Sequence, residues 1–197
     1  MSYYWGEKDT SVSFCEESYK ENKYIAEYYN TLSGVVYIIV GLPFLNTNIQ
    51  NIAISCIFLG IGTMLLHMTQ RSYGQILDES AMICLTYSIL CKINNKKYKE
   101  KYLSSLIIFY FLNHDNFIIF FVLFTSILLL LVYESLKIEN KKNKFYRNLF
   151  ISNMTIGAIF WGSDQMYCIY VKPYNFHALW HITTSISIYS GLKILHV

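Results

Sequence analysis

The sequence predicts an all-α membrane protein, a bundle of seven transmembrane helices with its N-terminus lumenal or extracellular and its C-terminus in the cytosol. Three observations carry this. Charged residues make up 15% of the 197 positions and the mean hydropathy is +0.31, whereas a soluble domain is roughly a quarter charged. No charged residue occurs between Glu27 and His67. Most of the 16 Lys and Arg gather in two loops. So few charges cannot cover a water-soluble globule, and a composition with nine Gly, two Pro and 54% hydrophobic residues is neither disordered nor collagen-like.

Residues 1–27 form an acidic arm, in which Glu7, Asp9, Glu16, Glu17, Glu21 and Glu27 outnumber Lys8, Lys20 and Lys23. The arm has no basic leader, and the first apolar run starts near residue 28, too late and too long for a cleaved signal peptide. The apolar stretch that follows is broken by Pro43 and Asn46-Thr47-Asn48, so it reads as two spans, 28–45 and 50–69. Each approaches the ~20 residues that cross a hydrocarbon core. A third span covers 75–91, and a short fourth covers 102–113 up to the polar break Asn113-His114-Asp115-Asn116. The fifth, 117–135, is rich in Phe, Ile and Leu; 148–171 and 176–196 complete the set. Short loops and the lack of alternating polarity favour helices over barrel strands. The loop holding Lys92, Lys96, Lys97, Lys99 and Lys101 and the loop holding Lys137, Lys141, Lys142, Lys144 and Arg147 fall on the side of Lys193. The excess of positive charge orients that side to the cytosol. Nothing resembles the basic stripe that nucleic acid requires, and no protein partner is legible.

Ionisable residues within spans are expensive and point to function. Here they are His67, Asp78, Glu79, Asp164, His177 and His181, and the topology places all of them toward the non-cytosolic face. His177 and His181 are four apart, on one helix face. That spacing fits either a shared metal ion or two interhelical hydrogen bonds. With His67 as a third nitrogen ligand the set matches a catalytic Zn²⁺ site, three protein ligands plus water. Asp78 is the best-placed carboxylate for a base, whereas Glu79 points about 100° away. Thr63, one turn before His67, offers a hydroxyl to an oxyanion or back to its own helix. Carboxylates interleaved with Ser and Thr in the arm fit Ca²⁺ binding through oxygen ligands or a plain solvated arm. Cys56, Cys84 and Cys91 read as buried apolar residues, and His114 and His196 as incidental.

The chain resembles the alkaline ceramidases, seven-span hydrolases related to the adiponectin receptors. The resemblance rests on Tyr4-Trp5-Gly6, Phe14-Cys15-Glu16-Glu17-Ser18-Tyr19, the run from Tyr24 to Thr31, His67-Met68-Thr69, Gln75-Ile76-Leu77-Asp78-Glu79, Phe160-Trp161 with Asp164, and Phe176-His177-Ala178-Leu179-Trp180-His181. It implies His67, His177 and His181 as zinc ligands and Asp78 as the acid/base holding the zinc-bound water. It implies an oxyanion-supporting hydroxyl at Thr63, where the relatives have Ser. It also implies a Ca²⁺ site in the arm, with ligands at Phe14 (through its carbonyl), Glu16, Ser18 and Glu27. Two of that site's positions depart, Ser13 replacing an Asp and Ser18 an Asn, so Ca²⁺ binding is expected to be weak or the arm little dependent on it. Ser80-Ala81 departs from Leu-Pro. Cys15 and Cys168 match two family cysteines that pair, and both fall on the oxidising side. The implied activity is zinc-dependent hydrolysis of the N-acyl bond of ceramide, or its phyto or dihydro forms, in an endoplasmic reticulum or Golgi membrane. A receptor-like relative with little hydrolysis and a metal or proton transporter are the alternatives. The short loops weigh against the receptor, and polar groups concentrated at one face weigh against the transporter.

Overall fold

A computed structural model describes residues 4–94 and 97–196. Lys96 of the first basic loop lies outside the described residues, as do the first three positions and the last. The described chain is helical, with no strand beyond an isolated bridge between Asn22 and Ile25. The helices are α1 (Tyr28–Ser33), α2 (Val35–Gly41), α3 (Gln50–Thr69), α4 (Ser72–Ile93), α5 (Leu103–Phe111), α6 (Phe117–Leu136), α7 (Lys141–Met166), α8 (Cys168–Val171) and α9 (Phe176–Leu195).

Three boundaries differ from the expected ones, each for a local reason. The first apolar run is divided at Gly34 into α1 and α2 and ends in a 3₁₀ turn at Pro43. The basic residues from Lys141 to Arg147 are helical, because the Asn140 side chain accepts from the Lys142 and Asn143 N–H groups and starts α7 there. The sixth run breaks at Tyr167, separating α7 from the short α8 that carries Cys168.

The helices α3 and α6 are long and apolar enough to cross a membrane. One side of α6 is exposed, with Ile118, Val122, Leu129 and Leu136 on it. Soluble monomers rarely expose so long an apolar surface. The polar groups face inward instead: Thr63, His67, Glu79, His177 and His181 are all buried.

Close packing of α3 on α4 sets the site. A Cβ on Gly62 would lie 2.6 Å from the Asp78 backbone nitrogen, and one on Gly74 2.7 Å from the Leu66 nitrogen. Small residues at these two crossings let the backbones approach, which puts Asp78 beside Thr63. The turn between the helices takes two residues because Gln70 adopts the left-handed conformation, with φ 53°. The arm docks on this turn: the N–H groups of Ala26 and Glu27 donate to the carbonyls of Met68 and His67, both at 2.9 Å.

Candidate metal centre

Two helices bring the three histidines together. His67 ends α3, and His177 and His181 occupy successive turns at the start of α9. Their candidate ligand atoms lie within 4.8 Å of one another, and all three side chains are buried. Ring centroids are 4.6–5.1 Å apart.

The partners of these rings set which nitrogen is free. His67 Nδ1 lies 2.5 Å from the Glu27 carboxylate, an acceptor, so the ring proton sits there and Nε2 keeps its lone pair. Ser33 Oγ donates to the Asn30 carbonyl at 2.9 Å, so it accepts from His181 Nδ1 at 2.7 Å. His181 is thereby held in the same tautomer. His177 Nδ1 is buried with no hydrogen-bond partner, the condition of a nitrogen that an ion or a water would satisfy. Two outward-facing lone pairs fixed by a carboxylate and a hydroxyl, with a third orphaned nitrogen beside them, suit a Zn²⁺ held by three histidines.

Asp78 lines the same cavity as Thr63, His177 and His181. Thr63 Oγ1 donates to Asp78 Oδ1 at 2.5 Å. A hydroxyl has one proton, so in this arrangement Thr63 holds the carboxylate and does not donate into the cavity, unlike the oxyanion role expected for it. Glu79, on the adjacent face, is held by Gln75 Nε2 at 2.8 Å, and Gln75 in turn bonds Ser11 of the arm. The remaining wall is mostly apolar, interrupted by Tyr37, Thr86, Thr125 and Thr184, and the cavity measures about 330 Å³. It runs from Asp78 to Ile89 on α4 and from His177 to Ile188 on α9, about 16 Å along each helix axis. A slot of that shape, with its ionisable groups at one end, suits an alkyl chain with its polar group against the histidines.

Asp164 lies apart from this cavity lining and accepts from the Cys15 N–H at 3.2 Å, tying the arm to α7. Cys15 and Cys168 have Cα atoms 5.3 Å apart, within the span of a disulfide.

The arm residues expected to bind Ca²⁺ have other engagements. Glu16 accepts the N–H groups of Tyr29 and Asn30 at 2.7 and 2.8 Å. Burial pushes its carboxyl up, and those two N–H groups pull it back. Glu27 serves His67, Asn30 and Gln70. Ser18 donates to Gln70 Oε1 at 3.1 Å. The Phe14 ring packs on His177 and His67 at 4.0 and 4.7 Å, covering the triad from above. The arm's carboxylates are thus engaged within the protein, while the Asn30 side-chain oxygen beside them is buried with no hydrogen-bond partner.

Ser33, Gln70 and the Phe14 ring were not legible as site residues. The one signal for Ser33 was the polar pair Asn30 and Ser33, three apart at the head of an otherwise apolar run.

A profile of the family described as Ceramidase matches residues 6–197. An alkaline ceramidase of Arabidopsis thaliana is 27% identical, the match covering 99% of this chain and 86% of its own length. For alkaline ceramidase 3 of Mus musculus the figures are 26%, 94% and 82%. For alkaline ceramidase 1 of Homo sapiens they are 23%, 94% and 81%.

Proposed function

The chain belongs to the ceramidase family, and from that premise we propose that it is a zinc-dependent membrane amidase. It cleaves the N-acyl bond of ceramide, or its phyto or dihydro forms, to a sphingoid base and a fatty acid. The observation that carries the zinc reading is the buried triad of His67, His177 and His181 at the end of an apolar cavity. A Zn²⁺ on these nitrogens would polarise the amide carbonyl and lower the pKa of a water.

The remaining steps belong to the chain itself. Asp78 takes a proton from the attacking water and delivers it to the amide nitrogen as the C–N bond breaks. Thr63 fixes the carboxylate oxygen that it hydrogen-bonds, leaving the other to face the reacting water. Glu27 and Ser33 orient His67 and His181. The apolar walls hold one hydrocarbon chain and exclude bulk water. Purified protein in detergent micelles is expected to release sphingoid base and fatty acid from ceramide in equal amounts. No release by zinc-loaded, folded protein would rule the reading out.

The seven helical segments, counting α1 with α2 and α7 with α8, are read as spans in an endoplasmic reticulum or Golgi membrane, with the triad at the lumenal face. The apolar exterior of α6 and the basic residues around the ends of α4, α6 and α7 support this. On that reading Cys15 and Cys168 form a disulfide fixing the arm to α8. Non-reducing peptide mapping of protein extracted from intact membranes should recover the two cysteines linked; two free thiols there would defeat both the pairing and its support for the sidedness.

A further inference from the structure

Glu79 stands in the wall of the cavity next to Asp78, and no step of the reaction uses it. Its side chain is buried, only 2% exposed, yet its two oxygens are served unequally. Oε1 accepts from Gln75 Nε2 at 2.8 Å, while Oε2 has no hydrogen-bond partner. Gln75 has no further hydrogen to give. Its amide nitrogen serves Glu79 Oε1 and Ser11 Oγ, the latter at 2.6 Å, and its oxygen accepts the Ser11 N–H at 2.8 Å. The groups acting on Glu79 are Tyr110, Gln75 and Asp78, none of them a cation. The Tyr110 hydroxyl, buried on α5, also lacks a hydrogen-bond partner.

We propose that Glu79 Oε2 binds a hydroxyl of the substrate's sphingoid base, which makes Glu79 a specificity-determining residue for hydroxylated amides. The proposal rests on the amidase reading above and adds the group that reads the polar end of the substrate.

Burying a carboxylate oxygen without a partner is costly, and a buried polar atom left open marks a place for something the protein itself does not supply. With Oε1 turned to Gln75, Oε2 is the oxygen left for the cavity. A bond from Tyr110 would use one lone pair of that oxygen and leave another. The bonds from Gln75 to Ser11 fix the carboxylate against the arm, so the acceptor is held in place before substrate arrives.

The chemistry of the substrate supplies the partner. A hydroxyl both donates and accepts, so it pairs with Oε2 whether or not the carboxyl carries a proton. In ceramide, the carbon bearing the amide nitrogen is flanked by two carbons that each carry a hydroxyl, one primary and one secondary. When the nitrogen lies at Asp78, these hydroxyls are its nearest polar neighbours on the sphingoid side. Side chains at successive helix positions diverge by about 100°. Asp78 therefore serves the reacting nitrogen while Glu79 reaches a group beside it.

The test compares ceramide with analogues lacking the primary or the secondary hydroxyl, using purified, zinc-loaded protein in detergent micelles. The readout is the ratio of kcat/KM values, which a loss of folded protein leaves unchanged because it lowers both alike. The unaltered protein should prefer ceramide over one of the analogues by about 10–100-fold, the effect of a hydrogen bond to a charged group. The analogue that suffers identifies the hydroxyl. Glu79→Met, similar in length but without the acceptor, should bring that ratio close to unity. Glu79→Gln, which still offers hydrogen-bonding atoms, should retain part of the preference. Ceramide turnover that is indifferent to both hydroxyls would overturn the proposal and leave the amidase reading standing. So would a Glu79→Met protein that keeps the full preference. No ceramide turnover by the unaltered protein would remove both.

Discussion

Asp78→Asn is expected to lower ceramide turnover by about 10²–10⁴-fold, the contribution of a positioned acid/base group, while the zinc content of the protein stays unchanged. The substitution is nearly isosteric. The amide oxygen can still accept from Thr63, and the backbone at residue 78 is pinned by its contact with Gly62. The fold and the histidines are therefore left in place. What is lost is basicity: an amide cannot take the proton of the attacking water, nor carry it to the departing nitrogen. Initial rates of sphingoid base release, with metal analysis on the same sample, check this. Full turnover by Asp78→Asn protein would remove Asp78 from the reaction. Loss of zinc alongside activity would make it a residue of the metal shell instead.

The elements of the fold that depend on composition were legible from the chain. Apolar runs long enough to be helices became helices, and the His177 and His181 pair fell on one face because α9 is regular through that turn. Asp78, on the helix after the short turn from His67, lines the cavity that His177 and His181 also line. What could not be read depended on a single dihedral or on a contact between segments far apart in the chain. Gln70 in the left-handed conformation turns its side chain to Glu27 and Ser18, and nothing in a Gln between Thr69 and Arg71 announces that. Ser33 reaches His181 across 148 positions. Glu27 was read only as an oxygen ligand for calcium, and its contact with the His67 ring depends on the arm's register against Met68 and His67. Asn140 sits in a run of charged and polar residues that reads as loop, yet its side-chain cap starts α7 there. Thr63 kept the hydroxyl expected of it, but its proton goes to Asp78, a choice that geometry makes and residue type does not.

Stripping zinc is expected to abolish turnover and re-addition of zinc to restore it, with calcium unable to substitute. The donor set explains the selectivity. Three imidazole nitrogens suit a borderline-soft ion that accepts four ligands, whereas Ca²⁺ requires oxygens in larger number. Without the ion the cavity retains Asp78, Thr63 and the apolar walls, so the substrate chain can still enter. What it loses is the group that makes water acidic near neutral pH and stabilises the charge forming on the carbonyl oxygen. Thr63 does not replace that stabilisation while its proton is on Asp78. The fall should therefore exceed the roughly 10²–10³-fold that a single electrostatic stabiliser supplies. His181→Ala should behave as the stripped protein does and resist rescue by added zinc, since the two remaining nitrogens cannot complete the site. Ser33 would then have no imidazole to orient, while Glu27 would still hold His67. Turnover that survives complete removal of metal, verified by elemental analysis, would leave the buried triad as an interhelical hydrogen-bonding cluster and take the zinc mechanism with it.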